Sequence, residues 1–525
     1  MITTGMRWWS PRWRAPAAVA AGALPALAFP APALWWFAYV ALVPWMLLLR
    51  SAPTGRRAAL EGWLGGAGFI LAVHHWLLPS LHVFLIPVAA LLGLLWIPWA
   101  LLVREFLGGV PAAGRAWCAL VLVPAGWLLS ELVRSWQGLG GPWGLLGASQ
   151  WQVAPALRLA SVGGVWLVSL LVVAVNCALV LLVAVPGARL PAVAGMTGCA
   201  VLTGAVWVWA ARPAESGRLR VAVVQPGPVA DGPDSVERRF AIGERLTRPL
   251  AGERVDLVVW GESSVGEDLT ARPDLARRLA ALSAEVGAPL LVNVDARRAD
   301  RPGIYKSAVL VGPQGPTGDR YDKMRLVPFG EYVPARALFG WATSVGRAAG
   351  EDRVRGDAPV VMDLPGRPGG RTAGTSVRLG PLVCFESAFP DMSRRLTLDG
   401  ASLLVAQSAT SSFQESWAPA QHASLAALRA AENGRPMVHA TLTGISVVHG
   451  PSGERIGAAL PTSASTAAVY EVPLARGTTL YVRFGDWPPA AALAALAVYC
   501  AVAGSRALRR PAPEPSPPPS RTARG

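Results

Sequence analysis

A thiol, a carboxylate and a primary amine can together run acyl chemistry, and this chain holds a carboxylate and a thiol each just past an apolar run and an amine in an irregular stretch. Leu257-Val258-Val259-Trp260-Gly261 leads to Glu262, and Gly380-Pro381-Leu382-Val383 leads to Cys384. Lys323 opens the irregular stretch Lys323-Met324-Arg325-Leu326-Val327-Pro328-Phe329-Gly330, which closes on a second carboxylate, Glu331. A thiolate attacks acyl carbon, a nearby ammonium favours the thiolate, and a carboxylate can accept its proton. An ammonium and strand-end amides can also hold a tetrahedral oxyanion. Each residue alone has an ordinary explanation: a helix cap for the carboxylate, a core position for the cysteine, a solvated loop for the lysine.

Residue usage sharpens the choice. Cys118, Cys177, Cys199 and Cys500 fall in apolar segments, so Cys384 stands alone in the polar part of the chain, without a partner for a disulfide or a zinc cluster. Lys306 and Lys323 are the only lysines; every other cation of the 48 Lys+Arg is arginine. A lysine kept in such a chain marks a position needing a compact, titratable amine, unless it is a chance survivor. The histidines are scattered and give no metal-ligand spacing, so neither a metal nor another cofactor is expected.

The elements that must position these residues are short. Runs at 220–224, 257–260, 289–294, 308–311, 380–384, 403–406, 436–440 and 446–449 predict strands, and 235–250, 274–286 and 421–433 predict helices. This is an α/β pattern with buried strands, a class that gathers functional residues at strand ends.

The rest of the chain reads as membrane. It is 52% hydrophobic and 15% charged with a mean hydropathy of +0.38, against about 25% charged in soluble domains. Segments at 15–31, 33–49, 58–78, 83–103, 116–133, 159–185, 191–211 and 487–504 each approach the roughly 20 residues of a spanning helix. Arg7, Arg12, Arg14, Arg50, Arg56, Arg57, Arg104, Arg115, Arg189, Arg506, Arg509 and Arg510 fall on one side when the N-terminus is cytoplasmic. The expected organisation is therefore a seven-helix region at 1–211, an extracytoplasmic domain at 212–486, a last helix at 487–510 and a disordered tail at 511–525, with both termini inside. The net charge of +15 follows from this topology and from contact with membrane lipids; without a basic stripe interleaved with aromatics, nucleic acid is not an expected partner.

The three motifs, in this order, resemble the nitrilase superfamily of carbon–nitrogen hydrolases, with its Glu–Lys–Cys triad. Helices before and after that domain make the chain similar to the apolipoprotein N-acyltransferase family. The phrase KMRLVPFGEYVP at 323–334 resembles that family's lysine motif, PWGLLGASQ at 142–150 its loop between the fifth and sixth helices, and TGISVVHGPSGERIG at 443–457 its closing strands. The resemblance implies an αββα sandwich beside a membrane helical bundle of about eight helices, in a bacterial cell membrane. It implies that Cys384 is the nucleophile, Glu262 the general base and Lys323 the electrostatic stabiliser, supported by Glu331, Glu386 and Phe385. Gly261 stands where the family often has Pro, Phe385 where Tyr or Trp is common, Lys306 where Asn is common, and 407–413 replaces an Asn-rich loop.

The implied reaction moves an acyl chain from a phospholipid donor, through a cysteine thioester, to the N-terminal amine of a diacylglyceryl apolipoprotein acceptor. A membrane-tethered amidase that passes its acyl group to water, or a silent membrane scaffold, are the alternatives. Residues 335–348, with Phe339 and Trp341, could form an amphipathic lid or an ordinary packed helix; Trp143 could line the pocket or sit at the headgroups.

Overall fold

With few charges to hydrate, residues 12–209 satisfy their backbone mainly in helices. The computed structural model describes residues 12–229, 232, 234–339, 350–364 and 377–508. The helices are α1 (Arg14–Ala23), α2 (Val43–Arg50), α3 (Gly55–Val73), α4 (Leu78–Leu81), α5 (Leu85–Gly93), α6 (Ile97–Leu107), α7 (Ala113–Arg134), α8 (Ala154–Ala184) and α9 (Arg189–Trp209). Among the described residues, five runs are long and apolar enough to cross a membrane: His75–Leu107, Ala113–Arg134, Ala154–Ala184, Pro186–Trp209 and Trp487–Arg506. Arg14–Ala28 and Trp35–Arg50 are shorter apolar runs. The segment expected at 58–78 ends at Val73, and α3 carries Arg56, Arg57 and Glu61 near its start. Arg14 and Arg57 donate to the buried Glu61 at 2.6 and 2.7 Å, so that carboxylate is paired on both sides.

A Trp45, Trp96, Trp99, Trp127 and Phe69 cluster fills the bundle with edge-on ring contacts of 4.8–6.2 Å. Gly65 lets it close, because a Cβ there would lie 2.1 Å from the Trp45 ring.

Beyond α9 the chain turns polar and forms β1 (Ala214–Gln225), α10 (Ser235–Thr247), β2 (Leu257–Trp260), α11 (Pro273–Val286), β3 (Leu290–Arg297), β4 (Ile304–Gly312), β5 (Gly315–Asp322), α12 (Arg336–Phe339), β6 (Met362–Leu364), β7 (Val377–Val383), α13 (Pro390–Leu398), β8 (Leu403–Ser408), α14 (Ala418–Asn433), β9 (Met437–Thr441), β10 (Ser446–His449), β11 (Arg455–Leu460) and β12 (Thr466–Arg476). α15 (Leu480–Phe484) and α16 (Trp487–Leu508) return it to the bundle. The strands form two six-stranded sheets, ordered β12-β1-β2-β3-β4-β5 and β11-β10-β9-β8-β7-β6. Strand alternation sorts the core: Val221, Val223 and Val259 pack between the sheets with Leu379, Val405 and Val438, whereas Ala222, Val224 and Val258 face Phe240, Leu275 and Leu279 of α10 and α11. Leu404 and Ala406 of the second sheet pack with α13, α14 and the bundle. The layers therefore run helix, sheet, sheet, helix, then bundle, an αββα domain on a membrane base.

The strands absent from the sequence expectation are β5, β6, β11 and β12, and these are the four sheet edges. An edge strand buries little apolar surface and shows no apolar run to read. The loop expected at 407–413 begins later, because Gln407 and Ser408 complete β8.

Two features lock the domain to the bundle. α8 breaks at Gly163 and Gly164, where Gly164 has φ +67° and a Cβ would meet the Tyr481 ring at 2.7 Å. Glu432 of α14 accepts the Val165 N–H at 2.8 Å and so caps the resumed helix. Between the sheets, the buried Gln407 amide donates to the carbonyls of Trp260 (2.8 Å) and Leu291 (3.2 Å). Gln407→Leu leaves those acceptors without their cross-sheet donor and is expected to cost about 2 kcal/mol. A thermal midpoint equal to that of the parent protein in detergent would show that the contact contributes nothing.

Candidate active site

The C-terminal ends of the parallel strands β2 and β8 meet, where the Glu262 N–H donates to the Ser408 carbonyl at 3.2 Å, and the candidate residues lie there. Glu262 follows β2 through Gly261, at which a Cβ would stand 2.0 Å from Leu442 N. Glycine is thus the residue this close approach admits. The next residue, Ser263, is left-handed with φ +52°.

Lys323 leaves the end of β5 with its N–H on the Lys306 carbonyl (2.8 Å). Its side chain is fully buried, and its Nζ donates to Glu331 Oε1 (2.7 Å) and Glu262 Oε1 (3.2 Å). Glu331 is fixed in turn by the Val327 N–H (2.8 Å). Lys306, from β4, brings a second ammonium to the same carboxylates: 2.8 Å to Glu262 Oε1 and 3.3 Å to Glu331 Oε1. It also lies 3.6 Å from Asp295, its cross-strand partner on β3, which Arg353 approaches at 3.2 Å.

Cys384 is the first residue past β7 and adopts φ +51°, a left-handed conformation that a non-glycine residue holds at a cost. Its Sγ lies 4.0 Å from the Ala409 carbonyl. Its own carbonyl accepts from Ser387 Oγ (2.9 Å) and His422 Nε2 (3.1 Å). Glu386 joins the cysteine turn to the lysine turn: one oxygen accepts from Tyr321 Oη (2.7 Å), Met324 N (2.7 Å) and Arg325 N (3.0 Å), the other from Val383 N (2.8 Å).

Glu262, Lys323, Glu331 and Lys306 thus form one contact cluster, with Cys384 in its field and Glu386 bracing the turns. Phe385 points away, edge-on to Phe389 at 4.9 Å and against Gly141. Trp143 is outside the cluster; its Nε1 donates to Gln421 (2.7 Å) and its ring lies 5.3 Å from His422, behind the cysteine backbone. Phe339 closes the four-residue α12, and Trp341 with the rest of the expected lid, residues 340–348, lies outside the described residues.

Sequence reasoning did not place Lys306, Asp295, Ser387 or His422 here. Lys306 had a signal, as one of two lysines; the others are ordinary residues brought in by neighbouring strands and α14.

Burial pushes Glu262 up, but Lys306 and then Lys323 pull harder and hold it below the usual carboxylate range. The same contest, with Lys323 first among the cations, brings Glu331 to about 2. Burial opposes the charge on both lysines, yet Glu262 and Glu331 raise them above their ordinary value. The Cys384 thiol is pushed up to about 12 by burial and then by Glu262, against the pull of Lys323. At neutral pH the site therefore holds ionised carboxylates, two ammoniums and a neutral thiol. Burial brings His422 down to about 4, so its contact with the cysteine carbonyl is that of a neutral ring.

The family model described as apolipoprotein N-acyltransferase N-terminal domain matches residues 21–178, and the one described as carbon-nitrogen hydrolase matches residues 220–480. An apolipoprotein N-acyltransferase of Geobacter metallireducens is 30% identical, covering 93% of this chain and 95% of its own length. One of Azotobacter vinelandii is 32% identical with 96% of each chain covered. Among solved structures, an amidase from Nesterenkonia sp. matches 50% of this chain and 92% of its own at 20% identity and a TM-score of 0.34. Saccharomyces cerevisiae Nit3, of the nitrilase superfamily, matches 49% of this chain and 91% of its own at 17% identity and a TM-score of 0.37.

Two measurements test the electrostatics. Alkylation of Cys384 by iodoacetamide is expected to rise about tenfold per pH unit from pH 7 to 10, as a mostly protonated thiol requires; a plateau below pH 9 would show a preformed thiolate. The second is acid stability. Glu262 and Glu331 are depressed in the folded protein, so the stability they contribute is complete above about 4.5 and is lost as pH falls towards about 2. Lys306→Met removes the cation that lowers Glu262 most, so less stability should be lost between about 4.5 and 2 and the acid fall of the thermal midpoint should be shallower; an unmoved curve refutes that coupling.

Proposed function

Because this chain belongs to the apolipoprotein N-acyltransferase family, we propose that it moves an acyl chain from a membrane phospholipid to the N-terminal amine of a diacylglyceryl-cysteine lipoprotein, through a thioester on Cys384. The observation that carries this reading is the buried Glu262–Lys323 contact of 3.2 Å at the strand ends where the Cys384 thiol lies within the field of both.

In the first half-reaction Glu262 takes the thiol proton as sulfur attacks the ester carbonyl of the donor. A neutral thiol beside an ionised carboxylate supports transfer during attack rather than a resident thiolate. The tetrahedral oxyanion forms next to Lys323, whose ammonium is already fixed by two carboxylates and need not reorganise. Collapse breaks the ester C–O bond, the alkoxide takes the proton from Glu262, and lysophospholipid leaves. In the second half-reaction the acceptor amine attacks the thioester, its proton passes to Glu262, and the C–S bond breaks. The thiolate regains a proton from Glu262, leaving an amide on the lipoprotein. Splitting the transfer lets two bulky lipids use one site in turn.

Glu331 and Lys306 act by holding the charges of Lys323 and Glu262. Trp143 supports Gln421 and His422 behind the cysteine, and Phe339 and Trp341 are the candidates for contact with the acyl chains. The catalytic domain lies outside the cytoplasm, with both termini inside. Arg50 supports this orientation by gathering the carbonyls of Leu107, Gly109 and Ala184 at the ends of the bundle away from the domain, a basic side suited to the cytoplasm.

Mass spectrometry of a lipoprotein N-terminus, after incubation with phospholipid and either this protein or its Cys384→Ala variant, tests the proposal. The expected result is a gain of one acyl chain with the intact protein alone. Donor hydrolysis without acceptor acylation favours an amidase-like enzyme, and no change with folded protein favours a scaffold; either overturns the transferase reading.

A further inference from the structure

Away from the Glu262–Cys384 cluster, a cavity of about 600 Å³ opens where the αββα domain meets the domain-side ends of α8 and α9. Its walls include Trp151, Arg158, Trp207, Arg212, His449 and Arg455. Two of these present donors with nothing to donate to: Arg158, 7% exposed, has a buried Nε without a partner, and the buried Trp151 Nε1 has none either. Arg158 spends another nitrogen on the Ala210 carbonyl, which holds its guanidinium between the two helices. Arg212 stacks over Trp207 at 5.8 Å. None of the three arginines has a carboxylate oxygen within ion-pair distance among the described residues. Glu454, also on the wall, turns an oxygen to the Ser452 N–H at 2.9 Å. His449 donates Nδ1–H to the Gly453 carbonyl (3.0 Å) and sits beside Arg455 in the β10–β11 ladder, where burial keeps its ring uncharged.

Three guanidiniums without an ion-pair partner, one of them with its buried Nε unused, and the unpartnered Trp151 Nε1 call for an anion with several acceptor oxygens. The setting says which kind. The cavity lies at the ends of spanning helices, where tryptophans mark the headgroup level and phosphodiesters are the abundant anions. Trp209 and Val208, 79% and 68% exposed, continue the surface below it with apolar area suited to acyl chains. We propose that this cavity binds the phosphate of a phospholipid headgroup, at a site separate from that of acyl transfer. The separation can be measured along α14: Ala431 lines the cavity, whereas His422, about 13 Å earlier along the helix axis, touches Cys384. A lipid held there pins α14, and with it the cysteine turn, to the bilayer surface.

The test uses the full chain carrying Cys384→Ala, so that no acyl-enzyme forms and the result stands apart from the proposed transfer. Delipidated protein in detergent is titrated with dioleoylphosphatidylglycerol and bound lipid is counted by native mass spectrometry. Arg158→Gln with Arg212→Gln is expected to lose one bound phospholipid per chain, with at least a tenfold weaker apparent affinity. Dioleoylglycerol, which lacks the phosphate, should not occupy the site. Arg455→Gln, on the exposed edge strand β11, gives a second variant should the double substitution lower folding yield, and is expected to weaken binding severalfold. Unchanged lipid count and affinity in the folded variants overturns the proposal, as does equal binding of dioleoylglycerol. Displacement of the lipid by millimolar inorganic phosphate would reassign the site to the free anion and overturn its lipid assignment.

Discussion

Two fully or nearly buried ammoniums share two buried carboxylates, and the geometry of the catalytic domain follows from satisfying that demand. Lys323 is completely buried and Glu262 is 2% exposed. Taking such ions from water costs several kcal/mol each unless opposite charges meet them at hydrogen-bond distance. Here each lysine touches both glutamates, and Asp295 with Arg353 extends the alternation outward. Three carboxylates against two ammoniums and one guanidinium leave the cluster neutral, so no member can leave without exposing another. The ends of β2, β4 and β5 must therefore converge, and Glu386, holding four donors, carries the constraint across to β7.

Convergence at this density bends the backbone. Ser263 next to Glu262, Phe329 two residues before Glu331, and Cys384 itself are left-handed without being glycine. Such conformations persist only where their surroundings over-determine them. At Cys384 the fixing contacts are Ser387 and His422 on its carbonyl and Glu386 on the preceding peptide N–H. The same low dielectric that strengthens the ion cluster also raises the thiol, so the pocket trades a ready thiolate for a fixed electrostatic field.

The sequence exposed the strands that are buried on both faces and the residues at their ends, because a run such as Leu257-Val258-Val259-Trp260 can be little else. It hid the four edge strands, whose burial is partial, and hence the fact that Lys323 stands at the end of a strand, β5, rather than within an irregular stretch. Lys306 was visible as a rare lysine but not as a neighbour of Glu262, since that depends on the β3–β4–β5 register pairing Asp295 with Lys306 and Ser307 with Asp322. His422 and Gln421 were read as helix residues. Their place behind the cysteine depends on how α14 packs between sheet and bundle, which no local pattern encodes. Gly261 looked like a departure from its relatives and is explained by the approach of Thr441 and Leu442.

That packing of α14 argues against a domain hung loosely from its membrane helices. Gln421 accepts from Trp76 and Trp143 at one end of α14, and Glu432 caps the resumed α8 at the other. Between them His422 contacts the Cys384 carbonyl, and Arg429 donates to Ala388 in the cysteine turn. A shift of the bundle relative to the sheets would have to break buried hydrogen bonds at both ends of this helix and would carry the Cys384 backbone with it. The helices therefore do more than anchor the domain: they form one wall of the structure that fixes the thiol.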